Sequence, residues 1–177
     1  MLGMNVETAS PDIDESAVEA DSPSHLAEKL AKTKAEKVYR DLRPEGCPVV
    51  AADTLVEIGG KILGKPRSVA EAGEMLRMLS GKLHYVHTGL AVIYSGTFAS
   101  AVETATVHFR ELSDDEIESY IMSGEPMDKA GAYGIQGRAG AFVDRIEGDF
   151  FSIVGLPLCR LVTLLRNTMG LTLSDMK

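Results

Sequence analysis

Glycine recurs at every third position from Gly131 to Gly140, in the run Ala130-Gly131-Ala132-Tyr133-Gly134-Ile135-Gln136-Gly137-Arg138-Ala139-Gly140. That is the period of a collagen strand, but a short stretch of collagen cannot sit inside a globular chain, so the segment must be an irregular loop. Glycines this dense permit positive φ and let a ligand approach the backbone closely. Lys129, just ahead of them, offers a cation, and Gln136 offers a side chain that both donates and accepts hydrogen bonds. Two readings stand on these residues: a phosphate or base pocket, and a flexible connection.

Regular elements lie on both sides of this loop. Glu7 to Asp21 is acidic and aperiodic and reads as a loop. Ser22 is an N-cap with Pro23 at the first helical position, and Leu26, Ala27, Leu30, Ala31, Ala35 and Val38 then form one apolar arc. Lys34 falls near the middle of that arc, where a plain amphipathic helix has no charge; snorkelling to the surface is the bland explanation. Pro48-Val-Val-Ala-Ala-Asp53 reads as a buried strand ending in a carboxylate, and Thr54–Ile58, Gly59-Gly60 and Lys61–Leu63 read as a tight hairpin. Ser68 with Glu71 and Ser113 with Glu116 are spaced as capping boxes for two helices, the first stopped by Ser80-Gly81 and the second by Gly124-Glu125-Pro126. His84–Tyr94 and Thr97–Phe109 read as antiparallel strands joined at Ser95-Gly96. Ala141–Ile146 and Phe150–Val154 read as a further hairpin around Gly148-Asp149, and a last helix runs from Pro157 to a stop at Gly170. Helices mixed with hairpins predict an α/β domain on a mixed sheet.

With 177 residues, 45% hydrophobic and 25% charged, the chain has the length of one domain and the apolar material for a core. No apolar run is long enough to cross a bilayer, so no membrane partner is expected. The balance of 18 Lys+Arg against 26 Asp+Glu gives a net charge of -8, which repels an extended polyanion and argues against nucleic acid. A small phosphorylated ligand is compatible with it, because a few lysines and backbone N–H groups suffice to hold one. Cys47 and Cys159 are far apart and form no Cys-x-x-Cys, so they are expected to be buried free thiols. The first residues carry neither a basic n-region nor an apolar h-region, and a cytoplasmic protein is expected.

Asp53 at a strand end is placed to serve as a metal ligand or as a general base toward water, the bland alternative being a cap for the next turn. Lys65 in Gly64-Lys65-Pro66 offers an ammonium between backbone-restricting residues, without the spacing of a P-loop. Asp12, Asp14 and Glu15 form an acidic knot that reads either as part of a cation site or as a solvated loop. His84 and His87, three apart in a strand, point to opposite faces and are not expected to share a metal. No serine or cysteine has a recognisable base partner, so no acyl-transfer triad is expected.

Taken together, Pro11-Asp-Ile-Asp-Glu15, Ala52-Asp53-Thr54 with Gly64-Lys65-Pro66, Leu79-Ser80-Gly81 through His87-Thr88-Gly89, and Asp128-Lys129-Ala130 through Gly137 resemble the Maf family of nucleoside triphosphate pyrophosphatases. Val154-Gly155-Leu156-Pro157-Leu158 matches as well, and the resemblance runs from about Leu2 to Arg166. It implies a fold related to the inosine triphosphate pyrophosphatases, with a central mixed sheet, flanking helices and a cleft between two lobes, and a homodimeric assembly in many members. It implies attack by water at the α-phosphate of a nucleoside triphosphate, releasing the monophosphate and pyrophosphate with the help of Mg2+ or Mn2+. The loop Ala130–Gly137 is similar to that of members acting on dTTP and UTP, whereas 7-methyl-GTP members carry a cysteine-containing sequence there.

By the same resemblance Asp53 matches the catalytic proton acceptor, and Thr54 and Gln136 match positions tied to base selection. Glu15, Lys34, Lys65 and Lys129 match polar residues of the cleft, and Asp53 and Glu15 are the candidate metal ligands. Family members normally open on an apolar strand and a Ser-Pro-Arg-Arg loop that grips the phosphates. This sequence starts with Met1-Leu-Gly3 where the following helix would end, so that strand and loop are expected to be missing from it. Two absent guanidiniums are expected to weaken triphosphate binding. The rival expectation is accordingly a nucleotide-binding regulatory protein of cell division with little turnover; a purine-nucleotide substrate is a third.

Overall fold

The computed structural model describes residues 5–170; the Met1-Leu-Gly3 segment, on which the expected absence of a first strand and Ser-Pro-Arg-Arg loop rests, lies outside them. Five helices, α1 (Pro23–Leu42), α2 (Val69–Leu79), α3 (Asp114–Met122), α4 (Phe150–Val154) and α5 (Leu158–Met169), accompany strands β1 (Val49–Ile58), β2 (Lys61–Leu63), β3 (Leu83–Tyr94), β4 (Thr97–Phe109) and β5 (Val143–Glu147). The strands form one sheet in the order β2-β1-β3-β4-β5. The chain is therefore an α/β protein with a five-stranded sheet flanked by helices. The β1–β2 pair is antiparallel with Val56 opposite Leu63, and β4–β5 is antiparallel with Val107 opposite Ile146. Gly59 and Gly60 turn the first hairpin at φ +58° and +80°, left-handed values required at both centres of a two-residue turn that follows the strand twist.

The helix boundaries follow local chemistry. Ser22 Oγ accepts from the His25 amide at 3.2 Å, with Pro23 opening α1. Ser113 and Glu116 form the full reciprocal capping box at α3. Arg110 adds to it by donating to both Glu116 oxygens, and its hydrogen bonds hold that carboxyl down to about 2. At α2 only half of the expected box exists. Ser68 Oγ accepts from the Glu71 amide, but the Glu71 carboxylate takes the Arg67 amide and guanidinium instead, because Arg67 offers it a charged donor.

The chain divides into two compact units: one holds the residues up to Asp53, Thr88–Glu103 and those from Leu156 on; the other holds Thr54–His87 and Thr104–Gly155. In the first unit, strand alternation does the sorting. Val49 and Ala51 of β1 and Ala91 and Ile93 of β3 pack with Ala31, Ala35 and Val38 of α1. The residues of opposite parity, Ala52, Leu90 and Val92, pack with Leu161, Leu164 and Leu165 of α5. Strands covered on both faces read as continuous apolar runs, which is why Leu90–Ile93 shows no alternation in sequence. The second unit has a core of Leu63, Leu76, Leu79, Val86, Val107 and Ile117 with an aromatic cluster. In that cluster Phe109 meets His84, Tyr133 and Phe142 edge-on at centroid distances of 5.0, 4.8 and 6.0 Å.

Three further expectations are corrected. Asp53 does not end its strand: β1 continues to Ile58, because Thr54-Leu-Val-Glu-Ile58 keeps pairing into the β2 hairpin. Phe150–Val154 is a helix, nucleated where Asp149 Oδ1 accepts the Phe151 amide at 2.9 Å and closed at Gly155, φ +109°. Its run of aromatic and β-branched residues is too short for periodicity to tell helix from strand. Cys47 and Cys159 are exposed, one in the connection between α1 and β1 and the other on α5 away from its Leu161–Leu164–Leu165 face.

Two predictions follow from this packing. A Cβ built on Gly89 of β3 would lie 2.1 Å from the Ala27 carbonyl oxygen of α1, a backbone atom with no rotamer to escape by. Gly89→Ala is expected to lose about 3 kcal/mol or more of stability, read from the urea midpoint. His84 is fully buried, and desolvation pushes its imidazole from 6.5 down to about 4. Between those pH values the unfolded chain binds the proton that the native chain refuses. Stability is therefore complete above about pH 6.5 and declines as pH falls toward 4, by about 3 kcal/mol from this group. Unfolding free energies measured across that window should show the slope in the parent and a flatter one in His84→Asn.

Candidate functional site

The sequence-predicted residues fall into two groups, one in each unit. In the first unit Asp53 shares the parity of Val49 and Ala51, hence the face of β1 packed on α1. Lys34, one position from Ala35 on the same helix, reaches it: its Nζ bonds Asp53 Oδ1 and lies 2.7 Å from Glu15 Oε1. Side-chain exposure is only 21% for Lys34 and 10% for Asp53, so this ammonium does not snorkel. Burial works against its charge, but the hydrogen bonds to Asp53 and Glu15 and their negative charges outweigh it and hold its pKa above the ordinary lysine value. Glu15 arrives on a 3-10 turn, Glu15–Ala17, capped by Asp14, whose Oδ1 accepts from Ser16 N at 3.0 Å and from Ser16 Oγ at 2.6 Å. Those bonds lower the Asp14 carboxyl pKa. The acidic knot thus resolves into one carboxylate paired with Lys34, Glu15, one cap, Asp14, and Asp12, which is exposed.

In the second unit the loop brings Lys65, Asp128 and Lys129 into one charged neighbourhood. Lys129 Nζ donates to Asp128 Oδ1 at 2.5 Å, and this bond, with the charges of Lys129 and Lys65, draws the Asp128 carboxyl below its usual value. The Gly131 amide donates to the Gly64 carbonyl at 3.1 Å, tying the lysine-bearing turn to the glycine loop. Val56 of β1 touches the loop, where a Cβ on Gly131 would lie 3.0 Å from Val56 Cγ1, whereas Thr54 lies beside Gly155, whose Cβ would be 3.4 Å from Thr54 Oγ1. Gln136 is exposed on the loop, and so is Lys65.

The glycine run is packed against the protein's own atoms. Gly131 alone among its four glycines has positive φ; the others are bare because the protein's own atoms fill the space. The largest intruder is Glu125, which the sequence shows only as part of a helix stop. A Cβ on Gly137 would lie 1.9 Å from Glu125 Oε1, and one on Gly134 would lie 3.5 Å from the same oxygen and 3.2 Å from Lys129 Cε. The carboxylate accepts from Tyr120 Oη at 3.0 Å and from the Arg138 amide at 3.2 Å, while Tyr120 Oη accepts from the Gly134 amide at 3.2 Å. Burial and the Glu125 carboxylate together raise the Tyr120 pKa, so the hydroxyl stays a donor. A three-residue glycine period with no collagen is the signal that something occupies the bare positions.

His84 and His87 take different partners: His84 Nε2 pairs with Tyr133 Oη at 2.9 Å in the core, and His87 Nδ1 with Thr104 Oγ1 at 2.9 Å. Among the described residues no group of three or more His, Cys, Asp or Glu is gathered to hold a metal ion, and no helix is long and apolar enough to cross a membrane.

Because the Gly137–Glu125 contact is purely steric, Gly137→Ala is expected to cost about 1–3 kcal/mol. In a Glu125→Ala background the same change should cost little. Urea midpoints of the two single variants and the double variant should give a coupling of about 1 kcal/mol or more; additive effects would show that the carboxylate does not occupy the glycine slot.

Residues 1–168 match the family described as Maf-like protein. The chain is 48% identical to a dTTP/UTP pyrophosphatase of Symbiobacterium thermophilum over 164 residues, covering 93% of this chain and 84% of that one. It is 48% identical to a dTTP/UTP pyrophosphatase of Alkaliphilus oremlandii over 174 residues, 97% and 90% of the two chains. A dTTP/UTP pyrophosphatase of Thermotoga maritima is 46% identical over 158 residues, 89% and 76%. A match over nearly the whole length, joined to the Asp53–Lys34–Glu15 group and the loop from Lys129 to Gly140, places this chain in the Maf-like protein family.

Proposed function

We propose that this protein is a nucleoside triphosphate pyrophosphatase that hydrolyses dTTP and UTP to the monophosphate and pyrophosphate. The observation that carries the reading is the convergence of two carboxylates, Asp53 and Glu15, on a single cationic atom, Lys34 Nζ. Such an arrangement fixes a strand carboxylate in direction, as a proton acceptor for an attacking water must be. The relatives, matched over most of both chains, are dTTP/UTP pyrophosphatases, in agreement with it.

Within this proposal Asp53 receives the proton of the attacking water, and Lys34 fixes its carboxylate. Lys65 and Lys129 offset negative charge on the phosphates, Lys129 exchanging its bond to Asp128 for one to the substrate. Gln136 reads the pairing edge of the base with its amide, assisted by Thr54. The donor set also fits a hard divalent ion. Asp53 and Glu15 are neighbouring hard oxygen donors, both beside Lys34 Nζ, and suit a cation completed by water and phosphate oxygens, as Mg2+ or Mn2+ is. Asp53 and Glu15 would hold it, and when bound it supplies charge neutralisation at the phosphates. Since dTTP and UTP differ at ring carbon 5 and at the 2′ position, a site that takes both leaves those positions unread. We extend the proposal on that ground to removal of pyrimidine nucleotides modified at carbon 5.

The test is pyrophosphate release from dTTP, UTP, CTP, ITP and 7-methyl-GTP with Mg2+ or Mn2+. Turnover selective for dTTP and UTP is expected. Asp53→Asn should lower kcat by about 10²–10⁴-fold while nucleotide binding survives. Undiminished turnover in that variant would remove Asp53 from the mechanism, and tight binding without turnover in the parent would favour a regulatory protein.

A further inference from the structure

A glutamine side chain presents a carbonyl oxygen and an amide NH2, and a half-turn about its last bond exchanges them. Uracil offers an N–H and carbonyl oxygens on its pairing edge, whereas cytosine offers an acceptor nitrogen and an amino group. A Gln136 free to flip would satisfy either base. Discrimination between them therefore depends on which edge atoms of the base the amide can reach, and the backbone from which it projects sets that reach.

The structure holds that backbone in place. Gly134 and Arg138 stand two residues before and two residues after Gln136, and their amide N–H groups are the two taken by the Tyr120–Glu125 pair. Tyr120 is buried on α3 with its ring edge-on to Phe142 at 5.2 Å, so its hydroxyl is an anchored point. The Glu125 carboxylate lies in the space left by the missing side chains of Gly134 and Gly137, and the Lys129 stem covers Gly134 beside it. One buried hydroxyl and one carboxylate thus hold both ends of the segment that carries Gln136. Charged-acceptor hydrogen bonds of this sort are about twice as strong as neutral ones.

We propose that Glu125, seated between Gly134 and Gly137 and bonded to Tyr120, is a positioning residue that sets the base selectivity of Gln136. The inference rests on the reading of Gln136 as the base-contacting residue. Glu125 touches no substrate in it; it acts through the loop. Sequence motifs single out neither Glu125 nor Tyr120, because the bond from the Arg138 amide to Glu125 and that from the Gly134 amide to Tyr120 are invisible without the fold.

The experiment uses the full chain and two variants, Tyr120→Phe, which removes only the bridging hydroxyl, and Glu125→Gln, which sets an NH2 against one of the donors that the carboxylate accepted. Hydrogen exchange reports the Gly134–Arg138 amides, and calorimetry reports binding of UMP and CMP, which needs no turnover. We expect exchange of those amides to rise tenfold or more in both variants, and the UMP-over-CMP affinity ratio to fall about tenfold, chiefly through loss of UMP affinity. Equal losses for both nucleotides would mark a merely structural role and overturn the proposal, as would unchanged exchange in both variants or a parent protein with no preference for UMP. A parent that prefers UMP yet releases no pyrophosphate from UTP would sink the proposed activity while the two ratios still judge the role of Glu125.

Discussion

The absence of a side chain at Gly89 is the constraint on which the first unit depends. It lets the Ala27 carbonyl of α1 lie against the backbone of β3, at a distance no Cβ would permit. Two helical turns further along the same face comes Lys34, and the close seating of α1 is what delivers its ammonium to Asp53. A helix held away from the sheet by even one methyl group would separate the pair, and the coupling between packing and chemistry here is therefore direct. Glu15 completes the group from outside the sheet, its position fixed by the Asp14–Ser16 hydrogen bonds and by Lys29, which donates to the Glu19 carbonyl at 2.9 Å and ties the lead-in segment to α1.

The second unit applies the same physics in reverse. In the first, a missing side chain admits backbone; in the loop from Gly131 to Gly140, missing side chains admit the carboxylate of Glu125 and the stem of Lys129. Four glycines would ordinarily make a segment mobile, since each has the largest conformational freedom to lose. The loop is ordered by filling: Glu125, Lys129, Val56 and the Ile135 carbonyl occupy what the glycines leave open, and the Gly131 and Gly134 amides are satisfied by Gly64 and Tyr120. A buried backbone donor without a partner would be costly, so these bonds are part of what keeps the loop in one conformation.

Much of the architecture was legible beforehand wherever local chemistry decides the outcome. Ser22-Pro23, Ser113 with Glu116, and the stops at Gly124 and Gly170 were read correctly because caps are short-range hydrogen bonds. The errors lie where distant residues decide. Asp53 reads as a strand end only until the β2 pairing is known; Phe150–Val154 reads as a strand until Asp149 is seen to cap it; Glu71 leaves its box because Arg67 competes for it. The exposed cysteines fall in the same class, since nothing in their spacing tells which face of α5 meets the sheet.

For the site the division is similar. Lys34 announced itself as a charge on an apolar arc, and Asp53, Thr54, Lys65, Lys129 and Gln136 were named from motif and resemblance. The sequence by itself determined the family, the residue types available for the chemistry, and the helix ends, because each of these depends on residues within a few positions of one another or on the whole linear pattern. Only the tertiary structure decided that Glu15 and Asp53 share one ammonium, that Glu125 fills the glycine slots, and that Tyr120 holds the loop. Those contacts join residues far apart along the chain through side-chain atoms a few ångströms across, and no linear pattern encodes a distance of that size.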